Sequence, residues 1–276
     1  MTPTSEAMAP PPGGSAAPRR KAYTVRISRP KLQRALALII GVILVAHLSV
    51  HIYHYTVHPV SDLLFNAVDV DQEENFSTWY QGFSLLFASV LLFIVAARRR
   101  GDRDPLALYW QGLGIVFVML SLDEIAGYHE TLNAIMTESW TVPALVLVAL
   151  FAIAYTRFLL RVERPTAKRF VAAGAVYMGG AVGMERFSEW FIKISVVTFR
   201  FPWGNLVIRH TNETMAKTLD YSIATAIEEG MEMLGVWLFI RAILLFMSAE
   251  DETVVPVTLA RPAQSGAPRS GGPTPT

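Results

Sequence analysis

Six apolar segments dominate the sequence, at about 35–56, 76–97, 107–128, 142–161, 170–192 and 222–247. Each is close to the ~20 residues a helix needs to cross a ~30 Å hydrocarbon layer. Backbone N–H and C=O groups surrounded by lipid must pair within the chain, which leaves helices or a closed barrel. Barrel strands are about half this length and alternate apolar with polar residues, so the segments predict an all-α polytopic bundle of six transmembrane helices over 35–247. Composition agrees, with 52% hydrophobic and 17% charged residues. The flanking stretches, 1–34 and 248–276, are rich in Pro, Gly, Ala, Ser and Thr and read as disordered tails that bury too little apolar surface to fold alone.

Lys and Arg are sorted by side. The first tail carries Arg19, Arg20, Lys21, Arg26, Arg29, Lys31 and Arg34. The second loop carries Arg98, Arg99, Arg100 and Arg103, and the fourth carries Arg161, Arg164, Lys168 and Arg169. Between them, the first loop has no Lys or Arg but holds Asp62, Asp69, Asp71, Glu73 and Glu74, and the third holds Glu130 and Glu138. The positive-inside rule therefore predicts both tails in the cytoplasm, N-in and C-in. The loop at 193–221 is mixed in charge and long enough for a structured outer cap. A net charge of +1 with no basic stripe argues against a nucleic-acid partner. With no cysteine in the chain, thiolate metal sites and cysteine nucleophiles are excluded, and a metal would have to use imidazole or oxygen ligands.

Ionisable residues inside spans are costly and mark functional sites. The first span carries His47, His51, His54 and His58 at i, i+4, i+7 and i+11, one stripe of a helix. An amphipathic ring is comfortable at the polar boundary, where His54 and His58 fall, so His47 and His51 are the informative pair. The third span contributes Asp123, Glu124, His129 and Glu130, the fifth Glu185 and Glu189, and the sixth Glu228 and Glu232. The predicted directions of the helices bring all of these to the outer half of the bundle. The expectation is one shared cavity open to the outer side, holding a divalent metal ion or a polar small-molecule, lipid or cation ligand. The same residues suit a metal-dependent membrane enzyme, a proton- or cation-coupled transporter and a non-catalytic subunit held together by polar contacts. The residues alone do not choose among them.

The strings DQEENFSTWY (71–80), SLDEIAGYHE (121–130) and AIEEGMEMLG (226–235), in that order on separate spans, resemble an uncharacterised family of bacterial multipass membrane proteins. The resemblance covers roughly 60–247 and implies residence in the bacterial plasma membrane, with membrane lipid as partner, but implies no reaction. The Asp, Glu and Asn-rich run Asp71, Glu73, Glu74 and Asn75 before a span is also similar to that of the alkaline ceramidases, membrane zinc amidases. Their late His-x-x-x-His zinc pair has no counterpart after His210, since the two His-x-x-x-His spacings here lie at 47–51 and 54–58.

Overall fold

The computed structural model describes residues 22–26, 28–72, 75–128, 141–184, 187, 196–201, 204–209, 218–250 and 254–258. The chain divides into two compact units. The first takes in residues 1–27 and 253–276, and its described part is an antiparallel ribbon of β1 (Ala22–Arg26) and β4 (Val254–Thr258), registered Ala22 to Thr258 and Arg26 to Val254. The second, residues 28–252, is helical. Its helices are α1 (Arg29–Thr56), the short α2 (Asp62–Val68), α3 (Phe76–Gly101), α4 (Ala107–Ala126), α5 (Thr141–Arg161), α6 (Arg164–Met178, running into a π turn at Gly179–Met184) and α7 (Leu219–Glu250). A hairpin of β2 (Val196–Phe201) and β3 (Gly204–Arg209) lies in the long loop before α7.

Four of these helices, α1, α3, α4 and α7, are long and apolar enough to cross a membrane. The other two long segments, α5 and α6 with its π turn, lie on the fourth and fifth apolar runs of the sequence. In the most apolar stretch of α1, only 22% of residues are buried, leaving Leu38, Val42 and Val45 well exposed. A water-soluble monomer does not sustain an apolar surface of this extent, whereas hydrocarbon favours it.

Local chemistry sets the helix boundaries. Pro30 opens α1 in the first turn, where its missing N–H costs nothing. The Asn75 side chain caps α3 by accepting from the Ser77 and Thr78 N–H groups at 2.9 and 3.3 Å. Gly127, at φ 58°, takes the left-handed conformation that ends α4.

Small residues bring the helices together, as expected where lipid gives no hydrophobic drive for helix association. On the antiparallel pair α3 and α4, the Ser121 hydroxyl donates to the Gly82 carbonyl (2.8 Å) and the Ser89 hydroxyl to the Gly114 carbonyl (2.9 Å). On α6 and α7, a Cβ at Gly180 would lie 2.7 Å from the Glu228 carbonyl, and one at Gly235 would lie 2.7 Å from the Tyr177 backbone nitrogen. The opposite end of the bundle is closed by Trp110, whose ring meets Phe158, Phe170 and Phe246. The helix α7 also runs antiparallel to α1, joined by the Trp237 indole N–H to the Gln33 carbonyl (3.0 Å) near one end and by His47 near the other.

Gly235→Ala places a methyl group against the Tyr177 backbone, and overpacking of this kind costs about 1–3 kcal/mol. Gly174→Ala meets nothing within 4 Å and is expected to be neutral or slightly stabilising. Unfolding of the two purified variants in detergent checks the contrast.

Candidate metal centre

His47 and His51 are one helical turn apart on α1 and fully buried, with ring centroids 4.0 Å apart. Phe65 of α2 stacks on His51 at 4.1 Å. The third member is Asp69, at the C-cap of α2 and also buried. Its turn is tightly held. The Asn75 amide donates to the Asp69 carbonyl, Asp71 N–H donates to Asp69 Oδ1 (3.3 Å), and the Thr78 hydroxyl donates to the Gln72 carbonyl (3.2 Å). Asn75 thus caps α3 and fixes the Asp69 turn with one side chain. From the other side, the Tyr221 hydroxyl at the start of α7 donates to Asp71 Oδ1 (2.9 Å).

The hydrogen bonds determine which ring nitrogens carry protons. Val70 N–H donates to His47 Nδ1 at 3.2 Å, so that nitrogen presents a lone pair, and Nε2–H donates to the Ser222 carbonyl at 3.0 Å. The Ser222 hydroxyl donates to the Thr218 carbonyl (3.0 Å), so its oxygen accepts from His51 Nδ1–H (2.8 Å). In its neutral form His51 therefore presents the Nε2 lone pair as well. Asp69 Oδ1 lies 3.6 Å from His47 Nδ1 and 3.8 Å from His51 Nε2. Three electron-pair donors from α1 and the α2–α3 turn converge within 4.8 Å of one another. A cation among them turns mutual repulsion into attraction, and two imidazoles with one carboxylate are a donor set for a divalent transition metal.

Of the residues singled out in the sequence, Glu124 and Glu232 meet at a second place. The Gln81 amide nitrogen on α3 donates to Glu232 Oε2 (3.1 Å) on α7 and to Glu124 Oε2 (3.3 Å) on α4. Glu232 and Ser222 are ten residues apart on α7, about 15 Å along the axis. Among the described residues, two clusters are thus seen, His47 and His51 with Asp69, and Glu124 and Glu232 with Gln81. Asp123 and Glu228 are partly buried neighbours of the second group in sequence. His129, Glu130, Glu185 and Glu189 lie outside the described residues. The partly buried His54 accepts from Val60 N–H (3.2 Å), while the exposed His58 bonds the Pro59 carbonyl.

The family model of a domain of unknown function, DUF8692, matches residues 35–247, and the chain belongs to that family. No curated protein and no solved structure matches it.

Ser222→Ala leaves the buried His51 Nδ1–H without its acceptor and is expected to cost about 1–3 kcal/mol. Thr56→Ala, which removes an exposed hydroxyl bonded within its own helix, is expected to change stability by less than about 0.5 kcal/mol. Denaturation of both variants in the same detergent tests the difference.

Proposed function

We propose that this protein is a metal-binding integral membrane protein with six spans and cytoplasmic termini. In this reading it holds a divalent transition metal such as zinc in the outer half of the bundle through His47 Nδ1, His51 Nε2 and Asp69 Oδ1. The observation that supports the reading is the tautomer pattern. Both rings are oriented by Ser222 so that each turns an unprotonated nitrogen toward the same carboxylate oxygen. Partners that fix the far nitrogen of a ligating histidine are a regular feature of metal sites, and here the Ser222 carbonyl and hydroxyl supply them. Imidazole nitrogen disfavours calcium and magnesium, which prefer oxygen. The Val70 N–H bond to His47 Nδ1, at 3.2 Å longer than the bonds from the rings to Ser222, would give way to an ion held there.

All three ligands are buried, whereas a hydrolytic metal needs a position facing its substrate. That burial favours an ion that is held, tying α1 to the turn before α3 and, through Ser222, to α7. The six-span, N-in/C-in arrangement rests on the Lys and Arg asymmetry of the loops.

Elemental analysis of protein purified from zinc-replete medium is expected to give stoichiometric metal. Asp69→Asn and His51→Ala are expected to retain less than about a tenth of it, because a three-ligand site loses most of its affinity with one ligand, and Glu232→Gln is expected to retain all of it. Wild-type protein that neither carries zinc nor takes it up on titration contradicts the proposal. Reporters fused after residue 100 and after residue 165 are expected to read cytoplasmic, and those within 60–72 to read outside; the inverse pattern overturns the orientation.

A further inference from the structure

At the Trp110 end of the bundle, the helices α3, α4, α5 and α7 and the loops α3–α4 and α5–α6 border a pocket of about 310 Å3. Its wall is divided in character. Leu106, Trp110 and Phe246 supply an apolar part, and Arg99, Asp104, Arg161 and Glu163 a charged part without net charge. The four charges are not equivalent. Arg99 is committed within the wall, since it donates to Asp104 Oδ2 at 3.0 Å and its guanidinium lies 5.0 Å from the centre of the Phe246 ring. Glu163 is held loosely, 3.8 Å from Arg99 and 3.5 Å from the Thr166 hydroxyl, and its side chain is 58% exposed. Arg161, the last residue of α5, is exposed and among the described residues joins no ion pair. One cation and one anion, two residues apart at the α5–α6 corner, thus stay open to a ligand.

We propose that this pocket binds the headgroup of an ethanolamine phospholipid, with Arg161 on the phosphate and Glu163 on the ammonium. A ligand that carries both charges suits both groups, whereas an ion of either sign leaves the group of like charge facing it. The guanidinium fork matches phosphate oxygens. A primary ammonium has three N–H donors for the Glu163 carboxylate and for water. A choline headgroup carries the same charge without an N–H, so Glu163 favours ethanolamine over choline. The volume is near the lower end for small-molecule sites, which suits a headgroup whose acyl chains stay outside.

The surroundings favour a lipid over a free polar molecule. Close to the pocket residues in the chain, Leu108 of α4 and Leu160 of α5 are 69% and 80% exposed, apolar surface on which acyl chains lie. The end of α3 also carries Arg98, Arg99 and Arg100, and such clusters mark the headgroup layer at the end of a span. Assignment of this layer to the cytoplasmic leaflet rests on the proposed topology, whereas the pocket does not.

The test is thermal unfolding of delipidated protein in detergent with phosphatidylethanolamine, phosphatidylcholine, phosphatidylglycerol or the chain-free glycerophosphoethanolamine, each at the same concentration. The ethanolamine lipid is expected to raise the midpoint by about 5 °C or more, and each of the others by less than half as much. Arg161→Gln is expected to remove most of that rise, and Glu163→Gln to bring the ethanolamine lipid down to the level of the choline lipid. Both positions are exposed, so neither change puts folding at risk. His51→Ala is expected to keep the lipid response while losing bound zinc, so the pocket and the metal centre succeed or fail separately. No rise with the ethanolamine lipid, or an equal rise with the choline or glycerol lipid, overturns the proposal. An equal rise with glycerophosphoethanolamine, or a wild-type response in both variants, overturns it as well.

Discussion

A polar side chain inside a membrane span has no water to fall back on, so it persists there only where another segment supplies its partner. The long-range polar contacts of this protein follow that constraint. His47 reaches across to Ser222, Gln81 to Glu124 and Glu232, Trp237 to the Gln33 carbonyl, and Tyr80 to the Leu36 carbonyl. Each joins two helices, and together they set which helices neighbour one another and at what height. The glycines at 82, 114, 180 and 235 then allow the backbones to approach closely enough for these bonds to form.

The last helix is the common element. Ser222, Thr225 and Glu232 are buried along it, and with Glu229 they recur at three- and four-residue intervals on one face. One end of this stripe orients the imidazoles of α1, and its other end presents Glu232 to α3 and α4. The helix α7 therefore meets two chemically different groups, the two imidazoles of α1 and the Gln81 amide that bridges Glu124 and Glu232.

Much of this was legible in the residues. The length and apolarity of the segments marked the helical bundle, and the i, i+4 spacing of His47 and His51 marked them as a pair. Glu124 and Glu232 were legible as acids misplaced in lipid. The partners were not. Asp69 reads as one acid among several in a polar loop, and nothing in its neighbourhood says that the Asn75 cap turns it back under α1. Ser222 and Gln81 are uncharged and draw no attention, although a glutamine five residues into an apolar helix is itself a signal that a partner faces it. Depth along the membrane suggested one cavity. Which partner each residue meets is fixed only by the antiparallel packing of α1 on α7 and of α3 on α4.

One nitrogen of each of two imidazoles and one carboxylate oxygen converge on a single point. X-ray absorption at the zinc edge of the zinc-loaded, purified protein reads that point directly. Two imidazole nitrogens and at least one oxygen at about 2.0–2.2 Å, with nearly all of the zinc lost in His51→Ala, is the expected result. A shell of oxygen alone, or one unchanged in His51→Ala, would place the metal elsewhere and contradict the account.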